Sequence, residues 1–158
     1  MDSLESAKQH LNELFTAAAK FSPISDIAQD EEHPLWQFTT DSGSFIIVEW
    51  NQELKRLMLT IEILPVPEHE RESMFAQALH YNLLWQETGG ARMALMPQSQ
   101  SLQLMIDLHP EQLDAHLLAN VVTNLLHQVH DWQLAIHNET APTTGLDDDD
   151  TQKHIIRG

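Results

Sequence analysis

The sequence predicts an α+β fold: a single, mostly antiparallel sheet with helices, in the order α-β-β-β-α-β-β-α. Apolar residues recur at three- and four-residue spacing in three segments, as in amphipathic helices, and five others are short, strand-like apolar runs, two of which alternate with polar residues. The 158 residues are 42% hydrophobic, enough for one core of ordinary size. We therefore expect one domain over residues 1–138 and a tail over 139–158.

The N-terminal half is predicted to hold one helix and three strands. Residues 4–18 have helical spacing, and Asp2 with Glu5 forms a capping box just before them. Residues 21–34 combine prolines, serines and an acidic run without any period, so we interpret them as a connecting loop. Strands follow at residues 35–40, 45–50 and 57–64. Turn-forming residues separate these strands, which is typical of an antiparallel meander.

The C-terminal half adds a helix, a hairpin and a long helix. The segment 72–86 has helical spacing, and Gly89 and Gly90 end it. The hairpin strands and the last helix occupy residues 91–96, 102–108 and 110–136. Pro110 is favourable in the first turn of that helix. The polar tail beyond it contains four successive aspartates and too little apolar surface to offset the entropy of ordering, so we expect it to be disordered.

Charge and composition exclude several classes of protein. The formal net charge is -16, from 8 basic and 24 acidic side chains, which disfavours both nucleic acid and anionic membranes as partners and suits a basic partner better. There is no cysteine, so disulfides, thiolate nucleophiles and sulfur-ligated metals are excluded. The N-terminus has no apolar run of the signal-peptide type, and no segment is long and apolar enough to span a membrane. A cytoplasmic location is expected.

A few polar side chains are candidates for a metal site or an active site, although the common phosphate-binding, nucleophile-elbow and zinc-hydrolase motifs are absent. One stripe of the third helix carries four histidines, His116, His127, His130 and His137. Because no acidic or cysteine ligand completes a metal site there, we interpret the stripe as a solvated helix surface. Possible acid–base groupings are Asp107 with His109, His127 with Asp131, and Glu49 with Glu62. We expect none of them to be an active site, and we expect no cofactor.

The predicted sheet has apolar residues on both faces. The core face carries Leu57, Leu59, Ile61 and Ile63 of one strand and Leu102, Leu104, Ile106 and Leu108 of another. On the opposite face lie Met58, Thr60 and Met105, and the strand 45–50 is apolar on both sides. An exposed apolar patch of this kind usually marks a protein contact. The alternatives are that a loop or the acidic tail covers the patch, or that the faces are assigned wrongly.

Two features of the sequence are those of a known family: the run LHYNLLWQETGGARMALMPQSQSLQLMIDL from Leu79 to Leu108, with Asn82 in its helix, and the order of elements over residues 1–136. In both, the sequence resembles the class I type III secretion chaperones of the Tir chaperone (CesT-like) family. The resemblance implies a homodimer in the bacterial cytoplasm that binds the N-terminal segment of one or more effectors and keeps it soluble and secretion-competent. The secretion ATPase is a further implied partner, and no ATP hydrolysis is implied.

The resemblance also places two surfaces. The second helix and the following strand would form the dimer interface, for which the candidate residues are Phe75, Leu79, Leu83, Met93 and Leu95. Client segments would wrap the first helix and the meander, where the candidate contacts are Leu35, Trp36, Phe38, Phe45, Ile47, Met58 and Met105. Two alternatives stay open: a regulatory binding protein of the same fold, similar to YbjN-like proteins or sequestering a transcription regulator, and an enzyme that uses the histidine stripe.

Overall fold

The computed structural model describes the backbone of residues 3–140 and the side chains of residues 3–136. Its helices are α1 (Leu4–Ala19), α2 (Arg71–Leu83) and α3 (Ala115–Thr140), and its strands are β1 (Ile24–Gln29), β2 (Leu35–Thr40), β3 (Phe45–Asn51), β4 (Arg56–Pro65), β5 (Arg92–Met96) and β6 (Ser101–Leu108). The predicted tail, apart from the last residues of α3, lies outside the described residues. None of the helices in the described part combines the length and hydropathy needed to cross a bilayer.

The strands form one antiparallel sheet in the order β1-β2-β3-β4-β6-β5, which confirms the predicted α+β class. The interpretation of residues 21–34 as a loop was wrong, because β1 lies within them and pairs with β2. The two isoleucines of β1, Ile24 and Ile27, are three residues apart in the sequence, and a register shift between Ile24 and Asp26 lets both face the same side of the sheet. The apolar residues of β1 therefore do not show the two-residue period by which a strand is identified in a sequence.

The acidic run after β1 forms the turn into β2. Asp30 Oδ1 accepts hydrogen bonds from the backbone N–H groups of His33 at 2.7 Å and Glu32 at 2.9 Å. The His33 ring nitrogen Nδ1 lies 3.0 Å from the same oxygen. The bonds from His33 and Glu32 lower the pKa of Asp30, since they favour its charged form. This carboxylate therefore fixes the hairpin that makes β1 an edge strand.

Helices α1 and α3 pack together on one face of the sheet. Phe15 of α1 is completely buried, and its ring stands edge-on to Trp36, at 5.2 Å between centroids, and to Phe38, at 5.0 Å. The indole N–H of Trp36 donates to Asn12 Oδ1 at 2.6 Å. The predicted core side chains of β4 are all buried, at Leu57, Leu59, Ile61 and Ile63. The assignment of the core face is thus confirmed, and α1 is fixed to the sheet by aromatic packing and one polar contact.

The helix ends differ in detail from the predicted ones. The N-cap of α1 is Ser3, whose Oγ accepts from the backbone N–H of Ser6, in place of the predicted capping box. Helix α3 begins only at Ala115, because Asp114 accepts from the backbone N–H of Leu117 at 2.7 Å and caps it. Pro110 lies in a separate 3-10 turn, Pro110–Gln112. The long C-terminal helix is therefore shorter at its start than the sequence predicted.

Candidate protein-binding surfaces

The junction between α2 and β5 is held by one side chain. Strand β5 is at the edge of the sheet, and Asn82 of α2 binds its outer side like a neighbouring strand. The Asn82 amide donates to the Met93 carbonyl at 3.1 Å, and its Oδ1 accepts from the Met93 N–H at 2.7 Å. Just before β5, the Thr88 hydroxyl donates to the Ala91 carbonyl at 2.9 Å, and the Ala91 N–H donates to the backbone carbonyl of Thr88 at 3.3 Å. The backbone of β5 is therefore partly shielded from other strands.

Replacing Asn82 by alanine is expected to lower the free energy of unfolding by about 1–3 kcal/mol, since Met93 is buried and would lose both partners. Urea unfolding followed by circular dichroism measures this difference. Asn120→Ala is the matched control, because Asn120 is an exposed asparagine on α3, and its effect should stay within about 0.5 kcal/mol. Equal stability of both variants would mean that the Asn82 amide bonds contribute nothing.

An apolar groove separates α2 from β5. Its volume is about 230 Å³, and it is lined by Phe75, Ala78, Leu79, Asn82, Met93, Ala94, Leu95 and Leu102. Four of the five predicted interface residues line it, and the fifth, Leu83, lies one helical turn beyond Leu79 on α2. Leu79 and Leu83 are 71% and 73% exposed. We call this set of residues the α2–β5 surface.

The opposite side of α2 is anchored to α3. The Tyr81 hydroxyl donates to Gln128 Oε1, and the Tyr81 ring stands edge-on to Trp132 at 5.7 Å between centroids. Burial raises the pKa of Tyr81, since it disfavours the phenolate. Helix α2 thus has one side fixed to the domain and the other side, with its leucines, facing solvent.

A second apolar surface lies on the sheet face opposite the helices, and we call it the reverse face. By strand register it carries Leu35, Gln37, Phe45, Ile47, Met58, Thr60 and Met105. Phe45 is 55% exposed, and the other apolar members are half-buried. A shallow depression of about 590 Å³ at one end is lined in part by Phe45, Ile47 and Thr60. No helix within residues 3–140 packs on this face.

Two of the predicted client contacts are not on this surface. Trp36 and Phe38 point to the helical face and are completely buried beneath Phe15. The resemblance assigned the meander to the client as a whole, whereas successive side chains of a strand point to opposite faces, so Trp36 and Phe38 lie opposite Leu35. The structure brings together the other five, Leu35, Phe45, Ile47, Met58 and Met105, on the reverse face.

The histidines of α3 do not converge. The His116 ring stacks on Phe21 at 4.0 Å between centroids, and His127 and His130 are exposed beside Asp41 at a shallow cavity. The side chain of His137 lies outside the described ones. Among the described residues, no group of three histidine, aspartate or glutamate side chains is placed to hold a metal ion.

The proposed acid–base groupings are also separated or otherwise engaged. The Asp107 carboxylate pairs with Arg56 and Arg92, and no hydrogen bond or ion pair in the described part joins it to His109. His127 and Asp131 are both exposed on α3. Glu49 of β3 is paired with Met58 of the neighbouring strand β4. Glu62 lies four residues beyond Met58 along β4, which separates the two glutamates by about 14 Å.

Comparison with known proteins assigns the family. The model of the Tir chaperone protein (CesT) family matches residues 15–133, so the chain belongs to this family. The fold is similar to that in the crystal structure of the ExsC–ExsE complex, with 19% identity, 85% of this chain and 96% of that chain covered, and a TM-score of 0.66. It is also similar to the HopA1–SchA chaperone–effector complex, with 17% identity, 84% and 99% coverage, and a TM-score of 0.64. Curated protein sequences gave no match.

Proposed function

We propose that this protein is a cytoplasmic type III secretion chaperone that binds, as a homodimer, the N-terminal segment of one or more effectors and keeps it soluble and secretion-competent. The observation that carries the proposal is the apolar reverse face, which no element within residues 3–140 covers. Membership of a chaperone family and the similarity to a chaperone–effector complex support it. A binding protein of this kind performs no catalysis.

The reverse face suits an unfolded client. Met58 and Met105 have unbranched side chains that adapt to different partners, so the surface does not require one fixed sequence. The outer edge of β1 is unpaired within the described residues, and an extended segment could add main-chain hydrogen bonds there. The two features together provide apolar contacts and backbone pairing for a segment that has no structure of its own. Delivery of the client would bring the complex to the secretion ATPase.

The α2–β5 surface suits self-association. Leu79 and Leu83 project from a helix that Tyr81 and Asn82 already fix to the domain, so pairing requires no rearrangement of the protomer. A two-fold axis beside α2 would bury the leucines of both copies against each other and against Leu95. The reverse face is built from other strands and stays available for a client in such a dimer.

Co-expression tests the proposal. The protein is produced together with candidate type III effectors, and a soluble, co-purifying complex with at least one of them is the expected result. Solubility of the effector without the protein, with no complex formed, would contradict the proposal. Recovery of a transcription regulator and no effector would favour the regulatory alternative.

The contribution of the reverse face is measured with Phe45→Asp. A charge in place of this exposed ring should weaken effector binding by about tenfold or more, because aromatic residues contribute strongly to interfaces. Phe21→Asp is the matched control, since Phe21 is also 55% exposed but stacks on His116 of α3, on the helical side. Isothermal titration calorimetry compares the two, and equal affinities would remove the reverse face from the client site.

A further inference from the structure

Two arginines stand together at the border of the reverse face. Arg92 Nη1 lies 3.1 Å and Arg56 Nη1 3.4 Å from the same oxygen, Asp107 Oδ2. The side chains of Arg56 and Arg92 are 47% and 41% exposed. Two guanidinium groups on one carboxylate leave a local excess of positive charge, in a chain whose formal net charge is -16. Among the described ion pairs, Asp107 is the one carboxylate that two arginines share.

The arginines have unused donor capacity. A guanidinium carries five N–H donors. In the described part of the chain, Arg56 donates to Asp107, and Arg92 donates to Asp107 and to the weak acceptor Met58 Sδ at 3.5 Å. Several donors on each side chain consequently face solvent. They are placed to bind a further carboxylate, for which the planar guanidinium is well suited.

Strand register connects the arginines with the apolar part of the reverse face. Arg92 of β5 faces Met105 of β6, Met105 faces Thr60 of β4, and Thr60 faces Ile47 of β3. Neighbouring strands lie about 4.8 Å apart, so this row extends about 14 Å from Arg92 to Ile47. That distance corresponds to about four residues of extended chain. A single short segment could therefore contact the apolar side chains and the cations together.

We propose that Arg56 and Arg92 bind one carboxylate side chain of the effector segment, which places one apolar side chain over Met105 close to that carboxylate and another over Ile47 about four residues away. This inference rests on the proposed function and names the chemistry of the segment. The effector segment is expected to carry one acidic side chain here and not an acidic run. A run would be repelled by Glu49 and Glu62, which are exposed on the same face, and by the negative net charge of the protein. The cluster would fix the register in which the segment lies on the sheet.

Charge reversal on both partners tests this. The probe is the N-terminal segment of the co-purifying effector, made as overlapping peptides in which each aspartate and glutamate is replaced in turn by arginine. Calorimetry with the full-length protein should show binding weakened roughly 10- to 100-fold by Arg92→Glu and by a smaller factor for Arg56→Gln. One arginine-substituted peptide should restore binding to Arg92→Glu. A folding defect in the variant would not be rescued by a change in the peptide.

Lys20→Glu is the control, because it makes the same change in net charge at an exposed position at the end of α1. Its affinity should stay within about threefold of the wild type. If Arg92→Glu binds as tightly as the wild type, or no peptide substitution restores binding, the inference is overturned. A change in oligomeric state caused by Arg92→Glu would overturn it too, since a second copy would then occupy the face. If the wild type binds no effector segment, the proposed function fails.

Discussion

Replacing Leu79 and Leu83 together by aspartate is expected to convert the proposed dimer into a folded monomer. Both side chains are more than two-thirds exposed in the protomer, so the change leaves the core intact. In a two-fold interface each substitution acts twice, and burial of each leucine contributes about 1.5–3 kcal/mol. The dimer should lose about 6 kcal/mol or more of association free energy. Light scattering at micromolar concentration should give the 18.1 kDa mass of one chain instead of twice that value.

Leu54→Asp controls for the general effect of an added charge on an exposed leucine. Leu54 is 64% exposed in the turn between β3 and β4, away from α2, and its variant should remain a dimer. Dimers formed by the doubly substituted protein would show that the α2–β5 surface is not the interface. A monomeric wild type would contradict the homodimer itself.

Phe15→Ala should lower the free energy of unfolding more than Asn82→Ala, Asn120→Ala or Phe21→Ala. The ring is completely buried between Trp36 and Phe38, and its removal leaves a cavity between α1 and the sheet. Truncation of a buried phenylalanine costs about 3–5 kcal/mol. For a chain of this size the melting temperature should fall by roughly 6–20 °C. Differential scanning calorimetry measures the change.

Phe21→Ala gives the comparison at an exposed site. The Phe21 ring touches His116 at the surface, so its truncation should cost less than about 1 kcal/mol. A similar fall in melting temperature for both variants would mean that the Phe15 contacts do not anchor α1. An unchanged melting temperature for Phe15→Ala would contradict the packing of α1 on β2.

The sequence was informative where one face of an element is buried. Alternation in β4 identified its core side chains, since each of Leu57, Leu59, Ile61 and Ile63 is buried while Met58 and Thr60 face the other way. The same alternation predicted an apolar reverse face. Trp36 and Phe38 do not belong with the client contacts, because the resemblance assigned the meander as a whole, whereas in β2 these two residues alternate with Leu35 and Gln37 and are buried on the helical face.

Other features depend on contacts between distant residues and have no local signal. Strand β1 owes its existence to pairing with β2, and its register shift hides the alternation that would have revealed it. The arginine cluster joins residues 56, 92 and 107, which only the order of strands in the sheet brings together. A single sequence does not show which distant residues form such pairs.

The bonds from Asn82 to Met93 have a consequence for stoichiometry. Asn82 occupies the outer backbone groups of Met93 in β5, and Thr88 binds the Ala91 carbonyl just before the strand, so a complete additional strand cannot attach at that edge. Growth of the sheet is then restricted to its β1 end. In the proposed dimer joined through α2, each protomer would keep one β1 edge for an extended segment, so two segments per dimer are expected. The β5 edge of each protomer is thereby protected against pairing edge to edge with a second copy.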